Sequence, residues 1–225
     1  MSNDDPQPWG DVGRDVYREL LERRGLDPDT EPSAAPGVDP FWEQAQANLA
    51  ATIPARFAAA CPDTPRVAQW VTRFNHDPRS CPSMLLTGMP GTGKTWQLLG
   101  ALRAVVEHAA ARHRTVPYRM VTHPRLNDLV RVKQDDSHQE ALEPFESASL
   151  LLLDDLGAGK QTDWNGDCLY RLVDHRWFHS LPTIYATNLS LSALTVAIGE
   201  RVVSRVVDGY VVPFEGPDRR RGGVR

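Results

Sequence analysis

Two short stretches of the chain carry residue types suited to phosphate chemistry. Gly88-Met89-Pro90-Gly91-Thr92-Gly93-Lys94-Thr95 fits G-x-x-x-x-G-K-[ST] at every fixed position. The glycines let the backbone turn tightly and aim successive N–H groups at phosphate oxygens. A helix starting near Gly93 would add the positive end of its dipole. Lys94 is then the side chain to reach the β- and γ-phosphates, and the Thr95 hydroxyl is a ligand for Mg²⁺. Further along, Leu150-Leu151-Leu152-Leu153 runs directly into Asp154 and Asp155. A strand that ends on two carboxylates supplies the acidic half such a loop needs: Asp154 for the metal shell and Asp155 to orient or deprotonate an attacking water.

Three further positions fit the same chemistry. Thr187-Asn188 follows another apolar run, and an uncharged amide there can hydrogen-bond both a γ-phosphate and a water without repelling either. In IGERVVSRVV, Arg201 and Arg205 lie four residues apart on one helical stripe of an otherwise apolar segment. Such a pair suits transition-state charge on the nucleotide of a neighbouring subunit. Arg219, Arg220 and Arg221 follow Gly216-Pro217-Asp218, and one of them is placed to contact nucleotide in cis.

These residues need a scaffold that brings them to one edge. Apolar runs at 83–87, 117–121, 149–153 and 182–186 read as strands. Helical patterning covers 41–53, 66–74, 93–112, 124–133, 164–179 and 191–207, and 77–82 reads as a loop. The alternation predicts an α/β fold, a three-layer α/β/α P-loop NTPase with a mainly parallel sheet. In such a sheet, ligands sit at the carboxyl ends of the strands. Ahead of it, residues 11–24 place Val12, Val16, Leu20 and Leu21 at helical spacing, and 25–40 carry four prolines and three aspartates. That predicts an N-terminal extension (1–40) of a short helix plus linker, suited to partner docking, before an ATPase domain at 41–225.

Bulk composition narrows the class. Of 225 residues, 41% are hydrophobic, and no apolar run is long enough to span a membrane. A net charge of −4 argues against coating nucleic acid by bulk attraction while leaving room for a local basic track. The acidic, proline-bearing start shows no secretory signal, and three widely spaced cysteines read as reduced thiols. Both point to the cytoplasm. A small-molecule kinase is disfavoured because Thr187-Asn188 and GERVVSR have no task in one.

Taken together, Ile53-Pro54-Ala55-Arg56-Phe57, GMPGTGKT, LLLLDDLGAGKQTDW, LPTIYATNLS, GERVVSR and GPDRR resemble, in order, the AAA+ helicase-loader family of DnaC and DnaI, with the related IstB transposition ATPases. The resemblance spans about 50–225. It implies Walker A at Gly88–Thr95, Walker B at Asp154 and Asp155, sensor 1 at Asn188, an arginine finger at Arg205 with Arg201 beside it, and sensor 2 at Arg220. It further implies ATP/ADP and Mg²⁺ as cofactors, homo-oligomerisation through nucleotide sites, a DnaB-type replicative helicase as partner, and single-stranded DNA. The activity implied is ATP hydrolysis coupled to helicase loading. The alternatives are an IstB-like transposition helper or a non-hydrolysing DNA-binding adaptor. Candidate DNA contacts lie in THPRLNDLVRVK, at Arg125, Arg131 and Lys133, whereas His123 reads as a helix-start residue. Trp96 departs from the family, where smaller or histidine side chains follow the threonine, and is expected to alter packing near the nucleotide.

Overall fold

The four leucines form a buried strand, one residue later than their pattern suggests. The computed structural model describes residues 39–131, 138–159 and 162–219. Its strands are β1 (Met84–Gly88), β2 (Tyr118–Thr122), β3 (Leu150–Asp154), β4 (Thr183–Thr187) and β5 (Tyr210–Phe214). They form one sheet in the order β2-β3-β4-β1-β5, parallel at every pairing. The four expected strands each begin and end one residue further on. Ladder hydrogen bonds do not depend on side-chain polarity, so Thr122 pairs with Asp154 and Thr87 with Thr187 beyond the apolar runs.

Eight helices are assigned among the described residues: α1 (Pro40–Thr52), α2 (Pro65–His76), α3 (Lys94–Ala110), α4 (His123–Arg131), α5 (His138–Glu146), α6 (Asp163–Phe178), α7 (Leu191–Ile198) and α8 (Glu200–Val206). Local chemistry marks several starts. Asp39 caps Phe41 N with Pro40 as first helical residue, Thr162 caps Asn165 N, and Ser190 caps Ala193 N. Asp39 and Pro40 therefore belong to α1 rather than to the expected linker. The expected helix at 11–24 and the rest of the linker lie outside the described residues.

Three elements differ from expectation. The single helix over 191–207 is two, because Gly199 adopts φ 84° and separates α7 from α8. Strand β5 was not expected; it carries Pro213, which an edge strand tolerates because a missing N–H on its open side costs no ladder bond. Helix α5 was likewise unexpected, with Pro144 inside it. The 77–82 segment carries a short 3₁₀ turn at Pro78–Ser80.

The sheet divides two cores. Leu150, Leu152, Ile184, Met84 and Leu86 pack with α1, α2 and α3 residues such as Leu49, Trp70, Phe74, Leu98 and Leu102. The alternate positions Leu151, Leu153, Leu85 and Tyr185 pack on the other face with Leu126, Leu169, Leu172 and Val203. The period-2 geometry of a strand thus sends alternate leucines of β3 to opposite layers, giving an α/β/α sandwich. Arg176 on α6 locks one end of it. It is 1% exposed and donates to Thr183 Oγ1 at 2.8 Å and to the carbonyls of Phe145, Glu146, Ala148 and Pro182 at 2.7–3.2 Å. Burial pulls its pKa down to about 10, so it stays charged at neutral pH. Among the described residues no helix is long and apolar enough to cross a membrane.

Candidate nucleotide site

The loop between β1 and α3 wraps around its own lysine. Lys94 is 6% exposed, and its Nζ donates to Gly88 O at 2.7 Å and Met89 O at 2.8 Å. Thr92, also buried, turns inward to donate to Met89 O at 2.8 Å, so its hydroxyl braces the loop. Two glycines are required by geometry. Gly93 opens α3 at φ 105°, and Gly91 sits at φ 82° where a Cβ would collide with the Asp218 carboxylate.

Three strand ends converge beside this loop. The Thr95 hydroxyl donates to Asp154 Oδ2 at 3.0 Å, and Asp154 Oδ1 accepts the Asp155 N–H at 2.8 Å. Burial raises the Asp154 carboxyl above its ordinary value; the hydrogen bonds from Asp155 and Thr95 and the charge of Lys94 oppose that rise, while the charge of Asp155 adds to it. Asn188 Nδ2, just past β4, donates to Asp155 Oδ1 at 3.3 Å. Asp155 holds φ 52°, a left-handed conformation uncommon outside glycine. The turn it starts is pinned from three sides: Leu156 N to Ala186 O, Thr187 Oγ1 to Leu156 O, and Gly157 N to His123 Nδ1.

The resulting cavity, about 640 Å³, is lined by Pro90, Gly91, Gly93, Lys94, Thr95, Trp96, Asp154, Asp155 and Asn188. All nine were expected at the site. Gly88 and Met89 lie on its far side, where they line a separate concavity with Asn188. Three lining residues were not assigned from sequence, Arg56, Phe57 and Asp63, and a fourth, Arg219, is one of the three tail arginines from which a contact in cis was expected. Arg56 stacks over the Phe57 ring at 4.8 Å, and both belong to the IPARF motif, which gave a signal without a role. The Cys61–Thr64 loop is held on α3 by Gln97, which bonds Thr64 N, Cys61 O and the Asp63 carboxylate.

Of the three tail arginines, Arg219 is the one within the described residues. Arg219 N donates to Gly91 O at 2.9 Å and its guanidinium lies over Gly93, whereas Arg220 lies outside the described residues. Arg201 and Arg205 do not line this cavity. Arg201 is exposed on α8; Arg205 is bound to Asp174 of α6 at 2.6 Å, a partner 31 residues away that no local pattern reveals. Arg125 and Arg131 are exposed on α4, Arg131 paired with Asp128 at 3.0 Å, and Lys133 lies outside the described residues. His123 does open α4, as expected, but it is fully buried and serves the Asp155 turn. A larger open groove, about 820 Å³, runs along β2 at the sheet edge, and among the described residues its lining holds no acid–base pair.

The donors suit a magnesium–nucleotide. Thr95 and Asp154 offer hard oxygens to one point, beside loop N–H groups and a buried lysine. Among the described residues no group of three or more His, Cys, Asp or Glu could hold a metal alone. A cation here would therefore complete its shell with phosphate oxygens and water, which is the habit of Mg²⁺.

No protein-family model matches the chain. The chain is 28% identical over 156 residues to the phage-like element PBSX protein XkdC of Bacillus subtilis (strain 168), covering 64% of this chain and 56% of that protein. It is 26% identical over 147 residues to the replicative helicase loader DnaC of Escherichia coli (strain K12), covering 63% and 55%. A third relative, the ATP-binding protein of insertion sequence IS5376 from Geobacillus stearothermophilus, is 26% identical over 122 residues, covering 54% and 46%. The chain thus spans about half the length of the curated relatives it matches. Its fold is that of the DnaC helicase loader crystal structure (TM-score 0.61, 23% identity, 72% of this chain and 100% of that one). The DnaI crystal structure shares it (TM-score 0.59, 24% identity, 75% and 94%). In sequence the chain is similar to DnaC and to the IS5376 ATP-binding protein, and in fold to DnaC and DnaI.

Proposed function

We propose that this DnaC/DnaI/IstB-like AAA+ chain is a Mg²⁺-dependent ATPase that loads a replicative DNA helicase onto single-stranded DNA. The observation that carries the ATPase reading is the junction of loop and acids, with Thr95 on Asp154 at 3.0 Å and Asn188 on Asp155 at 3.3 Å. When bound, Mg²⁺ neutralises charge on the β- and γ-phosphates. Thr95 and Asp154 would hold it, and Lys94, on leaving the Gly88 and Met89 carbonyls, would donate to the phosphates. Asp155, oriented by Asn188, would accept a proton from the water that attacks the γ-phosphorus as the bond to the bridging oxygen breaks and ADP leaves. Arg219 contacts the same nucleotide from the C-terminal side, and Arg205 serves the site of a neighbouring copy. The helicase role rests on the similarity to DnaC. In this reading residues 41–225 are the ATPase domain, 11–24 dock the helicase, and Arg125, Arg131 and Lys133 face DNA.

Mixing two inactive variants tests the shared site. Lys94→Ala and Arg205→Ala should each lack turnover, and a mixture should regain part of it, because some sites then combine an intact loop with an intact arginine. A mixture as inactive as its components would count against completion in trans. The similarity to the IS5376 protein favours a second reading, an IstB-like transposition helper. Capture of a transposase rather than a DnaB-type helicase by the full chain would select it.

A further inference from the structure

Arg205 spends three of its five N–H donors within its own chain. Its Nε donates to Asp174 Oδ1 at 2.6 Å, Nη1 to Arg201 O at 2.9 Å, and Nη2 to the Tyr170 hydroxyl at 3.4 Å. The guanidinium also lies over the Tyr170 and Trp177 rings, 5.2 Å from each centroid. Its side chain is only 22% exposed, that of Asp174 38%. Trp177 is fixed in turn by its Nε1, which donates to Asp208 Oδ2 at 2.7 Å. To present its whole fork to a phosphate on another molecule, an arginine held this way must leave the carboxylate.

We propose that Asp174 is a positioning residue that parks Arg205 against α6 and yields it only to the nucleotide phosphates of a second copy of this chain. This rests on Arg205 acting in trans. A terminal phosphate outcompetes one carboxylate because it carries more charge and presents three acceptor oxygens to a planar five-donor fork. The two rings do not oppose the exchange, since an attraction to a ring face has little directional demand and lets the guanidinium slide. Asp174 therefore sets how much assembly is needed before shared sites form. An encounter between copies lacking a terminal phosphate leaves the arginine parked. Trp177, 47% exposed, lies against the parked arginine and would lie at the same contact.

The test is steady-state ATP turnover of the full chain as a function of protein concentration, at saturating ATP and Mg²⁺. A partly exposed ion pair of this kind holds its equilibrium by about threefold. Asp174→Asn should reach half-maximal turnover at about threefold lower protein concentration with the same plateau and the same KM for ATP. Asp174→Glu, which restores the carboxylate, should match the wild type. A merely structural pair would move the urea midpoint and leave the half-maximal concentration alone. That result, a lower plateau or a need for more protein would each overturn the proposal. Asp174→Ser carries the same test if the asparagine variant fails to fold. Arg205→Ala separates the two ideas. If it is inactive at every concentration while Asp174→Asn changes nothing, only the parking is wrong. If it matches the wild type, the shared site itself is wrong.

Discussion

Acidification should remove stability through one imidazole. His123 is fully buried at the start of α4, and its Nδ1 accepts the Gly157 N–H at 3.1 Å, which leaves the proton of the neutral ring on Nε2. Burial pushes its pKa down from 6.5 to about 4. A histidine whose folded pKa is depressed contributes stability that is complete above its unfolded pKa and is lost as pH falls through the folded one. The window here therefore runs from 6.5 down to about 4. At ~1.4 kcal/mol per pKa unit, going from about pH 7.5 to about pH 5 removes roughly 2 kcal/mol. The assay is urea unfolding followed by far-UV circular dichroism at the two pH values, for the wild type and for His123→Asn. The asparagine oxygen can accept the Gly157 N–H without titrating. The wild type should lose about 2 kcal/mol more than the variant over that interval. Equal losses would refute the reasoning. The same protonation removes the acceptor that pins the Asp155 turn, so turnover should fall over the same window in the wild type and less steeply in the variant.

Arg176→Met should cost about 4 kcal/mol or more, because it strands several buried carbonyls at about 1–3 kcal/mol each. A urea midpoint close to wild type would contradict this. Asp154→Asn should raise the thermal midpoint of the nucleotide-free protein and abolish the further rise produced by Mg²⁺ and ATP. A carboxyl raised by burial contributes stability below its ordinary value of 3.8 and loses it as pH rises through the raised pKa, so at neutral pH the ionised group is a cost. A lowered midpoint would show that its hydrogen bonds from Thr95 and Asp155 outweigh that cost.

The loop and the acids were legible because their chemistry is local. A glycine-rich turn, a lysine and a strand ending on carboxylates each announce themselves within eight residues. The strand alternation then fixed which edge they share. What escaped was set by distant contacts. Arg219 meets the loop because β5 brings that segment back beside β1, and β5, with Pro213 at the sheet edge, had no counterpart among the expected strands. Arg205 read as an arginine offered to a neighbour; its capture by Asp174 depends on α6 and α8 packing together. His123 looked like a helix start, and its bond to Gly157 crosses from one strand end to the next.

The pairing of β5 with β1 has a consequence for how the protein matures. The nucleotide cavity draws on Arg56 near one end of the described fold and on Arg219 at the other. A chain still on the ribosome can hold the phosphate loop and both carboxylates while β1 has an open flank and Gly91 lacks its Asp218–Arg219 cover. Ligand stabilisation by mass action reaches only the state that binds. Nucleotide would therefore favour copies in which β5 has joined β1 over copies in which it has not, and that pairing would decide when the selection begins.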